Sequence, residues 1–283
     1  MQVAANAVVP FLLYIAFGYG IRRSGVAPES FFKTLNKVIF RAFFPVLMFH
    51  TIYKTDTDFK MDYGVLAFAL VSLLTLIALL CLLVPRLIRP NPVRGVFIQA
   101  VYRSNFVLFA LPLSVSVFGE AAGSLAAMLI AVVVPLYNVS AVVILEGFHA
   151  GGKTRPARLV KSILTNPMII GSVGRVADMS TPLALFVLGA TLRFGAVRKN
   201  LPYLTAGLML RLAVIPALVV FAAGALGFRD EKLFVLFTMY GTPVATASFA
   251  MAENMGGDGE LAAQFVVLST VCSLVTIFFW ILF

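Results

Sequence analysis

The residues able to do chemistry are few and grouped. Arg103, Ser104 and Asn105 precede Pro112, with Asn105 seven residues before it and so on the same helical face. Thr242, Pro243 and Thr246 form a second group, and Tyr137 and Asn138 follow Pro135. All lie inside apolar runs. A proline inside a helix removes a backbone hydrogen bond and breaks or kinks it. At membrane depth the freed groups are tolerated only where protein or a wet cavity satisfies them. A half-helix that starts at such a break offers free N–H groups and a partial positive charge, which suits a carboxylate. Asn105, Pro112, Asn138, Thr242 and Pro243, with Ser104 and Thr246, are therefore the expected substrate-binding set. Each taken alone also fits plain packing, as a kink or as interhelical glue; the matched pair of prolines points beyond it.

Ionisable residues at membrane depth are functional hypotheses by default. Arg103, Arg211 and Glu253 are the candidates for coupling or ion pairing. Arg103 is expected to pair with a neighbouring acid, Arg211 to snorkel to the cytoplasmic face, and Glu253 to cap its helix or carry a proton. No H-E-x-x-H, G-x-S-x-G or phosphate-binding glycine loop occurs, so neither enzyme nor ATP-driven pump is expected. Cys81 and Cys272 lie in apolar runs and suggest no disulfide framework, metal site or cofactor.

These residues must be held by membrane helices. The chain has 283 residues, 61% hydrophobic and 12% charged, with a mean hydropathy of +0.99. That charge density is about half that of soluble domains, and lipid is the natural solvent for so much apolar surface. Apolar runs long enough to cross a bilayer fall at 3–21, 36–53, 63–85, 95–118, 121–148, 201–227, 233–252 and 261–283, with one or two more within 163–192. The sequence predicts an all-α polytopic membrane protein forming a single membrane domain over 1–283.

The net charge of +10 does not point to nucleic acid, because the basic residues alternate with apolar runs. Fourteen of them fall in four connections: Arg22, Arg23, Lys33 and Lys37; Arg86, Arg89 and Arg94; Lys153, Arg155, Arg158 and Lys161; and Arg193, Arg198 and Lys199. The other connections mix Lys54, Lys60, Arg229 and Lys232 with acids. The positive-inside rule then places the four basic loops in the cytoplasm and the N-terminus outside.

One stretch does not fit this count. Only 31 residues separate Lys161 from Arg193, whereas two crossings need about 40. The prolines also recur in order, Pro10, Pro45 and Pro112 against Pro167, Pro182 and Pro243. The interval from Pro45 to Pro112 is 67 residues and that from Pro182 to Pro243 is 61, but Pro10 to Pro45 is 35 against 15 for Pro167 to Pro182. Both counts fall short by about one span at the same place. The expectation is two five-helix repeats, about 1–150 and 163–283, the second lacking about one helix between Met168 and Val176. An odd number of helices per repeat inverts the second copy, a signature of secondary transporters.

The motifs resemble those of the auxin efflux carrier family across nearly the whole chain. "VPFLLYIAFGYGIRRSGV", "NFVLFALPLSVSVFG", "PLYNVSAV", "STPLALFVLGATL" and "TPVATASFAMAENMGGDGELAAQFVVLSTVCSL" carry the likeness, in order. The resemblance implies ten helices in inverted repeats, with a scaffold part and a transport part crossing at the two prolines. It further implies a small organic acid as substrate, moved by alternating access in a bacterial inner membrane. Coupling to protons or to membrane potential stays open under it, as does a homodimer. The rival expectation is a receptor that binds a small ligand without moving it.

Overall fold

The computed structural model describes residues 2–43, 46, 61–149, 175–193, 195 and 197–282, the side chains of 2–7 and 175–178 excepted. The end of the second expected span, the basic cluster within 153–161 and nearly all of the expected shortfall at 168–176 lie outside the described residues. The elements in order are α1 (Gln2–Arg23), α2 (Glu29–Val38) continued by a π-turn (Ile39–Phe43), α3 (Tyr63–Leu87), α4 (Asn91–Tyr102), α5 (Phe106–Phe118) and α6 (Glu120–Gly147). After them come α7 (Arg175–Thr191), α8 (Val197–Ala225, with a π-turn at Leu210–Val214), α9 (Asp230–Gly241), α10 (Thr246–Asn254) and α11 (Gly259–Leu282). The chain is an all-α polytopic membrane protein. Among the described residues α3, α6, α8 and α11 are long and apolar enough to cross a bilayer unaided.

Two of the expected spans are instead split into half-helices, α4 with α5 and α9 with α10. The same order therefore occurs twice: a long helix, a split one, a long one. Apolar side chains on the periphery face outward, as Leu87 (81% exposed) and Phe221 (78%) do. On a soluble protein so many exposed large apolar groups would be an aggregation hazard; in lipid they are matched to their solvent.

Packing divides the described helices into two groups. Helices α1, α2 and α7 form one, with α1 packed also against α11 and α5 of the other. Glycines let α1 and α7 touch backbone to backbone: a Cβ on Gly18 would sit 1.9 Å from the Phe186 carbonyl oxygen, and one on Gly189 would sit 2.0 Å from that of Ile15. Phe186 also meets the rings of Phe17 and Phe32. The Arg22 guanidinium donates to the Ala190 carbonyl at 2.8 Å, and Glu29 takes ion pairs from Arg22, Lys33 and Arg193. Helices α3–α6 and α8–α11 form the second group, which encloses the two split helices. At the end away from the basic loops, Asp62 caps α3 by accepting from the Val65 N–H at 3.0 Å and pairs with Lys232 at 2.7 Å, tying α3 to α9.

Candidate functional site

The two interruptions have different local causes. Between α4 and α5 the backbone leaves helical geometry at Arg103 (φ −89°, ψ 102°) and returns after Asn105 (φ −80°, ψ 47°). No proline is involved. Ser and Asn side chains compete with helical backbone bonds and favour helix starts. Between α9 and α10 the proline acts directly. A residue before proline is pushed out of α geometry, and Thr242 is extended at φ −83°, ψ 158°.

The two interruptions cross. The Asn105 N–H donates to the Pro243 carbonyl at 2.7 Å, the Ala245 N–H to the Arg103 carbonyl at 3.2 Å, and Ser104 and Val244 form an antiparallel bridge. The Val244 N–H donates to Ser269 Oγ of α11 at 3.0 Å. The crossing thus brings together Ser104, Asn105, Thr242 and Pro243, all buried. It does not include Pro112. That proline lies two turns inside α5 on an exposed surface. The expected pairing of Pro112 with Pro243 is therefore corrected: the partner of Pro243 is the Arg103–Ser104–Asn105 segment. The shared-face argument for Asn105 and Pro112 fails with it, because Asn105 sits at the break rather than within the helix.

Side chains from the long helices line the crossing. Tyr137 of α6 lies 3.2 Å from Ser104 Oγ and donates to the Met239 carbonyl at 3.4 Å. Arg103 is 3% exposed, and its guanidinium donates to Asn138 Oδ1 and to the Met251 sulfur, both at 2.6 Å. The acid expected beside Arg103 is absent among the described residues, where no ion pair involves Arg103 or Arg211. Thr242 Oγ1, Ser248 Oγ and Gln99 Oε1 are buried without a hydrogen-bond partner. Thr246 opens α10 and is buried.

Arg211 does not snorkel. It is fully buried and reaches from the π-turn of α8 into the crossing. Its Nε and Nη2 donate to the Thr242 carbonyl at 3.1 and 2.9 Å, and Nη1 donates to the Val101 and Tyr102 carbonyls at 3.2 and 3.3 Å. Sequence reasoning missed this role, as it missed Met251, Ser269 and Gln99; for Arg211 the signal was its charge at membrane depth. Glu253 is exposed and lies away from the crossing. It borders a cavity of about 200 Å³ with Glu29, Lys33, Arg193 and Glu260, between α2 and α7 on one side and α10 and α11 on the other.

Two split helices crossing at their breaks, held by a buried arginine inside a polytopic α-helical shell, define a class of membrane carrier. The chain belongs to the auxin efflux carrier family: residues 3–163 and 158–281 match the family described as "Membrane transport protein". It is also similar to an "Uncharacterized transporter" of Methanothermobacter thermautotrophicus, 22% identical over 297 residues covering 98% of this chain and 97% of that protein. The protein is a membrane transport protein and an integral membrane protein.

Proposed function

We propose that the protein is a secondary transporter of small carboxylate-bearing organic anions, which bind beside the helix crossing. The observation that carries this reading is the buried Arg103, a cation whose partners among the described residues are neutral groups. A buried charge without a counter-ion is costly, and a bound carboxylate supplies one. The N–H groups of Phe106, Val107, Thr246 and Ala247 open α5 and α10 ahead of the first helical hydrogen bonds, which start at Leu108 and Ser248, and add partial positive charge at the same level. The unpartnered Thr242 and Ser248 hydroxyls supply further donors. In this reading the group α3–α6 with α8–α11 carries the site, and α1, α2 and α7 form the frame it moves against. The N-terminus faces outside, which leaves the basic ends on the cytoplasmic side.

The test is flux of labelled organic acids into sealed proteoliposomes, paired with a thermal-shift screen of the same acids. Uptake of an acid that also raises the melting temperature is expected, since a ligand specific for the native state stabilises it. Binding without flux would favour a receptor, and no response to any carboxylate would overturn the substrate class.

A further inference from the structure

The carbonyl oxygens gathered around Arg211 have a significance apart from the substrate. Val101 and Tyr102 end α4, and Met239 and Thr242 end α9 or follow it. Their carbonyls belong to the last turns, where intrahelical partners run out. Each helix C-terminus carries roughly half a negative charge, so two meeting inside the bilayer sum to about one. The Arg211 guanidinium contacts all four oxygens, the Met239 carbonyl most weakly at 3.5 Å. One positive charge thus meets about one negative charge, and this is why Arg211 needs no acidic partner.

The local structure is built to deliver that side chain. The π-turn Leu210–Val214 interrupts the regular helix at this point, and the Trp280 indole N–H donates to the Leu212 carbonyl at 3.1 Å. The oxygens hydrogen-bond separate nitrogens of one planar guanidinium, whereas carriers with broken helices also use such half-helix C-terminal carbonyls to hold a bare cation. We propose that Arg211 is a tethered counter-cation that fills the place of an alkali metal ion at the crossing, so that the fold and its ligand binding need neither Na⁺ nor K⁺. Arg211 is a positioning residue: it fixes the two C-terminal half-helix ends, and through them the N-terminal ends that face the substrate.

The experiment compares melting temperatures of purified wild-type protein, Arg211→Lys and Arg211→Gly in choline, sodium, potassium and low-millimolar guanidinium chloride at matched ionic strength. No organic acid is present, so the outcome is independent of the carboxylate reading. Wild type is expected to melt at the same temperature in all four salts. Arg211→Gly is expected to melt lower in choline, by roughly 5 °C or more, and to recover with guanidinium, which meets the same oxygens; Arg211→Lys should fall between. A sodium- or potassium-dependent rise in the wild-type melting temperature would overturn the proposal. So would an Arg211→Gly protein that melts with wild type and ignores guanidinium. If the glycine variant does not fold, the wild-type salt comparison and the lysine variant decide: a lysine variant that also fails to fold, although it keeps the charge, counts against the proposal.

Discussion

At the scale of single residues, the crossing holds two buried arginines in different electrical settings. Arg211 faces carbonyl oxygens that need a positive charge. Arg103 faces an amide oxygen and a thioether sulfur, which do not neutralise it. Replacing a buried charge by an apolar group of similar volume is often neutral or stabilising. Arg103→Met is therefore expected to keep or raise the melting temperature while abolishing uptake in proteoliposomes. Asn105→Ala separates backbone from side chain in the same way. The bond from its N–H to Pro243 survives, and its side chain makes no cap bond in the structure. Loss of one hydrogen bond to a charged ligand should weaken binding by about ten- to a hundredfold, measured as affinity, with folding unchanged. Unaltered affinity would remove Asn105 from the site.

At the scale of elements, the two prolines should behave oppositely. Pro112 lies on an exposed surface inside α5, where alanine restores a backbone donor. Pro112→Ala is expected to transport like wild type and to melt no lower. Pro243 sets the extended geometry of Thr242, whose carbonyl takes two donors from Arg211. Pro243→Ala should lower uptake, and equal effects of the two substitutions would contradict this difference. The seam between α1 and α7 is tested by Gly189→Ala. Its new Cβ meets backbone rather than a movable side chain, so a loss of about 1–3 kcal/mol is expected in thermal or denaturant unfolding.

At the scale of the whole molecule, the two helix groups meet across the cavity at the basic end. Glu29 holds Arg22, Lys33 and Arg193 there, with Glu253 and Glu260 opposite. The hydrogen bond from Lys33, and then the charges of Arg193, Lys33 and Arg22, hold the Glu29 carboxyl below its ordinary value of 4.5. A lowered folded-state pKa means that the stabilisation is complete above the ordinary value and is lost as pH falls from about 4.5 through the folded value. Solvent screens this half-exposed cluster, so the effect is small. The difference in melting temperature between wild type and Glu29→Gln should be constant near neutrality and vanish in acid. A difference that persists at low pH would show that Glu29 acts by packing.

By itself the sequence determined the solvent of this protein and the order of its helices, because apolar runs and their basic flanks are local quantities. It also located the second break, since proline acts on its immediate neighbours. The first break was legible only as a polar cluster; Pro112 drew attention two turns downstream, and Arg-Ser-Asn carries no equally strong local rule. Which charges meet was left to the tertiary structure. Arg211 is explained by carbonyls at 101, 102, 239 and 242, and Arg103 by Asn138 and Met251. Those partners stand apart along the chain, so their electrostatics exist only once the two split helices have crossed.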